Sequence, residues 1–394
     1  MLDFQADAVA ADLRLPLIEL ELGFGKPLHP APDALVARYR HELSDYVAQH
    51  TRPVAPDGRA WSVEVQDDMA VDLDQQPLDL VVHARMRPPP GAPLRRFDLN
   101  YDVITHEVAS HYAMVSVRSD FANGVFASHP QLLGIIHYLD KSVLIDRSTG
   151  SMWRGFGGVF ALGMEHIAEG TDHLLFLFTL LLPAPLFAAR RRWAGYAGAR
   201  HGLVALVKIV SAFTIGHSLT LFLGAMGWVH LPSRLIETVI ALSIFVSAIH
   251  ALRPLFPGRE AFVAAGFGLV HGLAFASTLS ELGLSGTTLA TALLGFNLGI
   301  ETMQLLVVAA ALPWLLLIAR TPAYRFVRSA GAIVAGIAAL AWIGQRAFDW
   351  PNPFDAWIAT TASHPLWLLC ALATLALGSW GWQRLGERAV QRYA

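Results

Sequence analysis

From about residue 150 onward, the chain is a succession of long apolar runs separated by short polar stretches. A helix that crosses a bilayer needs about 20 mostly apolar residues. Seven runs reach this length, and the predicted spans are approximately 156–183, 203–226, 233–252, 260–280, 288–319, 328–347 and 364–383. Pro313 lies within the fifth span and predicts a kink or an interfacial last turn there. The pattern therefore predicts a mostly α fold, a polytopic membrane bundle of seven transmembrane helices over residues 151–394.

Residues 1–150 have a different pattern. Apolar side chains recur at helical spacing over residues 31–50, whereas later segments alternate apolar and polar residues, as half-buried strands do. The predicted strands are 61–66, 69–73, 78–86, 95–101, 103–108 and 111–118. We therefore expect residues 1–150 to form a small β-rich (α+β) domain with one helix.

The composition supports a membrane protein. It argues against a nucleic-acid-binding protein and against a protein built on disulfides or thiolate metal sites. Hydrophobic residues make up 54% of the chain and charged residues 15%, whereas soluble domains contain about 25% charged residues. The net charge of −2 gives no electrostatic basis for binding nucleic acid. The single cysteine, Cys370, excludes a disulfide framework and a thiolate metal cage.

Arginines in the predicted loops set the orientation of the bundle. One side has twelve arginines, and the other has two, Arg234 and Arg346. Because basic loops stay in the cytoplasm, we expect a cytoplasmic C-terminus and a periplasmic or extracellular N-terminal domain. An exported domain needs a signal, but residues 1–25 have no basic n-region and no uninterrupted apolar core. We expect that a cleaved signal peptide is missing from this sequence; the alternative is that the first span translocates the domain.

The first predicted span contains ionisable side chains, which are costly at the centre of a bilayer and mark binding or transfer sites. They are Glu165, His166, Glu169, Asp172 and His173. On a continuous α-helix, His166 and His173 share one face, with the acids beside them. Gly163 and Gly170 predict the close approach of a neighbouring helix. We expect a polar wedge near the middle of this span.

Three other spans carry polar groups at a similar depth. His217 lies in the second span and His271 in the fourth, while Asn297, Glu301 and Gln304 follow i, i+4, i+7 spacing in the fifth. A lone histidine packed against a carbonyl would be ordinary, but agreement among four spans predicts a shared site. Imidazole and carboxylate ligands without thiolate favour Ni²⁺, Co²⁺, Zn²⁺ or Mn²⁺ over Cu(I). A proton relay is the alternative without a metal.

Three motifs in this order resemble the HupE/UreJ family. They are His166-x5-Asp172-His173, Phe-Thr-Ile-Gly-His-Ser at 213–218, and Val-His-Gly-Leu-Ala-Phe at 270–275. Members of that family are regarded as nickel or cobalt permeases of bacterial inner membranes.

The resemblance covers roughly residues 153–383, and it implies a multi-pass protein of the bacterial inner membrane. It implies metal ligation by His166, Asp172, His173 and His217, with His271 as a further candidate. The remaining polar groups of the spans are possible additional ligands: Glu165, Glu169, Asn297, Glu301 and Gln304.

Three functions fit these observations. The first is a transporter that binds a nickel- or cobalt-type divalent cation at mid-membrane, with acidic pH opposing binding because metal ligands must be deprotonated. The second is an intramembrane zinc-dependent hydrolase in which Glu165, Glu169 or Glu301 serves as the general base. The third is a metal-responsive sensor or assembly factor that binds a protein partner through residues 1–150.

Eight histidines lie in the N-terminal domain, and their spacings match no tight metal motif. They are His29, His41, His50, His83, His106, His111, His129 and His137. Scattered surface and turn histidines are the preferred interpretation, and a metal-capturing outer domain is the alternative.

Overall fold

The computed structural model describes residues 1–28, 32–73, 76–127, 129–229, 231–275, 284 and 286–393. His29 and residues 276–280 of the predicted fourth span lie outside the described residues. The chain divides into two compact units. The first comprises Met1–Gly158 and Leu282–Ala290, and the second comprises Val159–Glu281 and Thr291–Ala394.

The first unit is rich in β-structure. Its strands are β1 (Leu2–Phe4), β2 (Val9–Pro16), β3 (Thr51–Val54), β4 (Ser62–Val65), β5 (Ala70–Asp72), β6 (Asp79–Arg87), β7 (Arg96–Tyr101), β8 (Ala113–Ser119), β9 (Gln131–Ile136) and β10 (Ser142–Asp146). One sheet has the order β4-β6-β2-β1-β8-β9, with β5 paired to β6, and a second has the order β10-β7-β3. Neighbouring strands are antiparallel, except that β1 and β8 are parallel.

The core of this unit follows the period of its elements. Along β6, burial alternates residue by residue, because successive side chains of a strand point to opposite faces. Two helices, α1 (Leu17–Phe24) and α2 (Pro32–His50), contribute to the same core. Leu43 and Val47, one turn apart on α2, are fully buried, as expected for an amphipathic helix.

The prediction of a β-rich N-terminal region is confirmed, but strands β1, β2, β3, β9 and β10 were not predicted, and two predicted details are wrong. The region has a second helix, α1, in which Leu17 and Leu20 are fully buried. The predicted strand 103–108 is instead a series of turns. Ile104 lies there at φ 67°, outside the β region of backbone space, although its side chain is fully buried. The buried apolar residues of this turn therefore have the sequence pattern of a strand.

The membrane part is helical. Its helices are α3 (Met152–Glu169), α4 (Thr171–Leu181), α5 (Ala199–Ala225), α6 (Ser233–Leu252), α7 (Glu260–Ala274), α8 (Gly286–Ile318), α9 (Tyr324–Phe348), α10 (Asp355–Ala362) and α11 (Pro365–Tyr393). Among the described residues, five are long and apolar enough to cross a membrane: α5, α6, α8, α9 and the part Pro365–Leu385 of α11. The shorter apolar helices α4 and α7 lie within the predicted first and fourth spans. The chain is a membrane protein, but the described residues do not form seven helices of spanning length.

The first predicted span, 156–183, is not a continuous helix. It breaks at Gly170, whose backbone is extended at φ −70° and ψ 90°. A Cβ atom at this position would lie 2.6 Å from the carbonyl oxygen of His166 and 2.8 Å from Nδ1 of His173. The lack of a side chain at Gly170 therefore leaves space for His166 and His173 of the same segment. The expectation that Gly170 admits a neighbouring helix is wrong.

The predicted basic loop after the first span contains a short hairpin. Strand β11 (Leu186–Ala189) pairs with β12 (Arg192–Tyr196), and Arg190 and Arg191 form the turn at positive φ. Two-residue hairpin turns of this kind match the twist of the flanking strands.

Candidate metal centre

Helices α5 and α7 approach each other backbone to backbone. A Cβ atom added at Gly216 of α5 or at Gly268 of α7 would lie 2.2 Å from a carbonyl oxygen of the other helix. Glycine is required at such a distance, as in other close helix pairs of membranes. His217 and His271 follow these glycines closely in sequence and are both fully buried. The contact brings their imidazoles into the interior of the second unit.

Helices α3 and α8 approach each other in the same way. A Cβ atom at Gly163 or Gly299 would lie 2.1 Å from a carbonyl oxygen of the facing helix. The prediction that Gly163 admits a neighbouring helix is confirmed. His166, three residues beyond Gly163, packs its ring beside the stacked pair Phe275 and Phe296, at centroid distances of 4.5 and 5.6 Å.

The break at Gly170 determines where His173 lies. Helix α4 begins again at Thr171, and the ring of His173 packs edge-on against that of His166, with 4.6 Å between centroids. A straight helix would hold residues seven apart about two turns from each other, roughly 10 Å along the axis. The extended backbone at Gly170 therefore shortens the distance between the two imidazoles and brings them into contact.

Three imidazoles meet in one cluster. His166, His173 and His217 each offer one ring nitrogen, and these nitrogens all lie within 4.8 Å of one another. Nitrogens bound to a single ion at about 2.1 Å are separated by no more than about 4.2 Å. Small movements of the side chains would therefore bring all three onto one cation.

The cluster contains buried nitrogens that lack hydrogen-bond partners. Within the part of the chain that the structure describes, Nε2 of His166 and both ring nitrogens of His217 are buried without one. Oδ1 of Asn297, on the neighbouring α8, is unpartnered in the same way. Leaving such a group unsatisfied costs about 1–3 kcal/mol, whereas a bound cation would use the imidazole lone pairs directly.

Asp172 orients one of these imidazoles. Its Oδ1 accepts hydrogen bonds from the backbone N–H of His173 at 2.9 Å and from Nδ1 of the same ring at 3.0 Å. With the proton on Nδ1, Nε2 carries the lone pair. Carboxylates commonly fix metal-binding histidines in this tautomer. The structure thus places Asp172 behind His173 and outside the three-nitrogen cluster.

The other oxygen of Asp172 faces a cation. Nη2 of Arg346 lies 3.8 Å from Oδ2 of Asp172, and Nε of Arg346 lies 3.6 Å from Oε2 of Glu237. Neither Arg346 nor Glu237 was predicted as a site residue. Arg346 lies at the end of the predicted sixth span and counts there as a loop arginine, so no sequence pattern connects it with the acidic side chains of other helices.

His271 borders the cluster. Its Nδ1 lies 3.4 Å from Nε2 of His173, and its Nε2 lies 3.1 Å from Oγ of Ser243. His271 therefore lies at the Nε2 edge of His173, on the opposite edge of that ring from Asp172. It is not one of the three clustered histidines.

The predicted polar stripe of α8 is present and pairs with α5. Oε1 of Glu301 accepts a hydrogen bond from Ser211 at 2.8 Å, and Oε1 of Gln304 accepts one from Thr214 at 3.4 Å. The amide of Asn297 donates to a carbonyl oxygen of its own helix at 2.8 Å. These groups form a polar row along α8 and lie outside the histidine cluster.

The two glutamates of α3 are not part of the cluster. Glu165 is half-buried, and Glu169, the last residue of α3, is exposed. The predicted wedge of five ionisable groups therefore separates into two clustered imidazoles, one orienting carboxylate and two peripheral glutamates.

The part of the chain that contains this cluster matches a family of known proteins. A family model described as HupE / UreJ protein matches residues 141–346, slightly more than half of the chain. No curated protein and no solved structure matches the chain. The matched range contains all three clustered histidines and extends to Arg346.

Proposed function

Because the chain belongs to the HupE/UreJ family, we propose that it carries a divalent cation of the nickel or cobalt type across the membrane. We propose His166, His173 and His217 as ligands, with Asp172 orienting His173 through Nδ1 and His271 adjoining its Nε2 edge. We further propose the bacterial inner membrane, with the C-terminus in the cytoplasm and the β-rich unit outside.

The observation that carries this proposal is the set of three imidazole nitrogens within 4.8 Å of one another, two of whose rings have buried nitrogens without partners. Neutral imidazole suits Ni²⁺, Co²⁺ and Zn²⁺, and the cluster offers no thiolate that would favour Cu(I). An ion with incomplete protein ligation exchanges ligands more readily than one in a closed tetrahedral cage. That property suits a carrier, which must also release its ion.

The charges beside the cluster suit a path for a cation. Glu237 and Asp172 lie on one side, bridged by Arg346. The row Asn297, Glu301 and Gln304 continues along α8. Hydrogen-bonding side chains in a membrane interior replace part of the hydration shell of an ion. We propose that the cation passes between these two groups by way of the histidines.

The test is accumulation of radioactive Ni²⁺ or Co²⁺ in cells that express wild type, His217→Ala or His201→Ala. All variants must be present in the membrane at equal amounts, checked by immunoblot. His201 is the matched control, since it is an exposed histidine on the same helix, α5. We expect His217→Ala to reduce accumulation at least tenfold and His201→Ala to leave it unchanged. Equal accumulation by His217→Ala and wild type would contradict transport through this centre.

A second function shares the three-histidine donor set, since catalytic zinc sites also use three protein ligands and an open position. Hydrolysis further needs a carboxylate base near the metal-bound water, and the cluster contains imidazoles alone. Elemental analysis of the purified protein separates the two functions. Stoichiometric zinc that survives dialysis would favour the hydrolase, whereas exchangeable metal favours the carrier.

A further inference from the structure

A cleft of about 510 Å³ lies between the N-terminal part of α5 and the start of α7, within the second unit. The two helices run parallel, because an added Cβ atom would meet Phe213 at Gly268 and His217 at Gly272. Both helices therefore begin at the same end of their contact, and the cleft lies at that end. Small-molecule sites commonly have volumes of about 300–1,000 Å³, so the cleft is large enough to hold a ligand.

One wall of the cleft carries two basic side chains of α5, Arg200 and Lys208. They are eight residues apart, so they lie on the same side of the helix, about 12 Å from each other along its axis. Both are exposed, and no carboxylate among the described residues forms an ion pair with either. Unpaired basic groups are ordinary on an open surface, but these two line a single concave space. Their side chains are long enough to reach one anionic group placed between them.

An acidic residue on the other wall, Glu260, does not neutralise this charge. Its Oε1 lies 3.9 Å from Nε2 of His250, a histidine that is 1% exposed. Nδ1 of His250 accepts a hydrogen bond from the backbone N–H of Leu255 at 3.1 Å, so the proton of the neutral ring is on Nε2. That buried N–H has no hydrogen-bond partner among the described residues. The carboxylate of Glu260 therefore faces His250 and leaves the basic wall uncompensated.

The charges at the start of α5 are the reverse of those that stabilise a helix. Its N-cap residue, Gly198, supplies no side-chain hydrogen bond, and its first turn contains Arg200 but no acid. The first N–H groups of a helix lack intrahelical partners and carry partial positive charge, so an anion is favourable there and a basic side chain is not. A bound anion in the cleft would stabilise both the helix end and the basic wall.

The same wall is apolar between and beside its basic groups. Val204 and Ile209 line the cleft, and Leu203 and Val207 are exposed on the adjoining surface of α5. A molecule with an anionic head and an apolar chain matches this combination better than a free phosphate does. Basic pockets between membrane helices bind anionic headgroups in this way on the cytoplasmic side, where the proposed orientation places the cleft.

We infer that this cleft binds the phosphate group of an anionic phospholipid, with Arg200 and Lys208 contacting the phosphate. A free phosphate shares the recognised chemistry, and the experiment below separates the two sources. The site is distinct from the histidine cluster, because Lys208 lies nine residues before His217, about 14 Å along α5. The inference therefore does not rest on the proposed transport function.

The experiment is native mass spectrometry of the full-length protein in detergent, with phosphatidylglycerol or phosphatidylcholine added. We expect wild type to retain phosphatidylglycerol in preference. The paired variant Arg200→Gln/Lys208→Gln should bind it at least about tenfold more weakly, because each interfacial basic residue contributes about a factor of five. The matched control, Arg325→Gln/Arg384→Gln, removes two exposed arginines outside the cleft and should behave as wild type. In a second arm, calorimetric titration with inorganic phosphate should show much weaker binding.

Equal retention of the two lipids by wild type, or an equal loss in both paired variants, overturns the inference. Binding of inorganic phosphate that Arg200→Gln/Lys208→Gln removes, without any preference for phosphatidylglycerol, also overturns it, because the ligand is then a free phosphate. Should the paired variant fail to fold, Lys208→Gln alone is measured, and retention equal to that of wild type has the same consequence. Failure of transport leaves these outcomes as they are, because none of them measures a metal.

Discussion

At the scale of single residues, the charge of Asp172 is shared between two partners. One oxygen holds Nδ1 of His173, and the other faces the guanidinium of Arg346. Arg346 also donates to the backbone carbonyl of Glu237 at 3.1 Å, which anchors it in place. Because the positive charge of Arg346 lies beside Asp172, it lowers the attraction that Asp172 would exert on a cation at the histidine cluster. Arg346 is therefore placed to limit how tightly the centre holds its ion.

Replacing Arg346 with glutamine should strengthen metal binding. Loss of the guanidinium leaves the Asp172 carboxylate uncompensated, and charges separated by several ångströms interact by roughly 1–2 kcal/mol at an intermediate dielectric constant. We expect Co²⁺ affinity to rise roughly five- to thirtyfold, since about 1.4 kcal/mol corresponds to a factor of ten, as measured by equilibrium dialysis of the purified protein. The matched control is Arg325→Gln, which removes an exposed arginine near the other end of the same helix, α9. Equal effects of both substitutions would refute a specific role of Arg346.

The sequence predicts part of the site at this scale. His166, His173 and His217 are identified because they stand in short motifs within apolar runs, where an ionisable group is conspicuous. The pairing of His50 with Asp102 was not predicted, since the two residues are 52 positions apart. Nothing local distinguishes that histidine from the exposed His41. Contacts made by the tertiary fold lie beyond the information in a local pattern.

At the scale of helices, glycines determine the distance between backbones. Two contacts place the backbone of one helix against a carbonyl oxygen of another. They are the α3–α8 contact at Gly163 and Gly299 and the α5–α7 contact at Gly216 and Gly268. The first pair positions His166 and the second positions His217. The geometry of the three-histidine cluster therefore depends on helix spacing as much as on the histidines themselves.

Substituting Gly163 with alanine should force α3 and α8 apart. The new Cβ would lie 2.1 Å from a backbone oxygen, which cannot rotate away as a side chain would. Overpacking of this kind typically costs 1–3 kcal/mol, so we expect a lower melting temperature in detergent and weaker Co²⁺ binding. Gly157→Ala is the control on the same helix, because its Cβ would meet nothing within 4 Å. A melting temperature that falls equally for both variants, or for neither, would disprove the helix-contact argument.

Hydrophobic runs predict the helices better than their interruptions. The predicted spans 203–226 and 233–252 nearly coincide with α5 and α6. The break between α3 and α4 falls inside the predicted first span, at Gly170, where an added Cβ atom would lie too close to His166 and His173. Periodicity carries no signal for such a contact, although the break is what brings the two histidines together.

At the scale of the whole molecule, the two units are stabilised differently. The helical unit exposes large apolar side chains along its membrane helices, such as Phe262 and Trp382, which suit contact with lipid. The first unit has a closed apolar core between its sheets and helices. It also contains a fully buried carboxylate, Asp120. We therefore expect acidic pH to destabilise the β-rich unit through protonation of Asp120.

Asp120 should make the stability of the first unit depend on pH in the acid range. Burial raises the pKa of its carboxyl, but hydrogen bonds from Arg95, Arg147 and Asn123 at 2.7–2.8 Å outweigh burial and hold the pKa below its usual value. A carboxyl with a lowered folded pKa contributes stability above the unfolded value of about 3.9, and this contribution is lost as pH falls through the folded pKa. The window therefore lies below about pH 4.

Asp120→Asn provides the test, with hydrogen exchange of the first unit followed in the full-length protein. At pH 7 we expect a loss of about 3–5 kcal/mol in the free energy of unfolding, because two guanidinium groups lose a buried counter-charge. As the pH falls below about 4, the difference from wild type should shrink, since protonation of the wild-type carboxyl removes its stabilising charge. Asp67→Asn removes an exposed carboxylate of the same unit and should have little effect at either pH. A difference between Asp120→Asn and wild type that stays constant with pH would mean that the ionised form of Asp120 does not stabilise the fold.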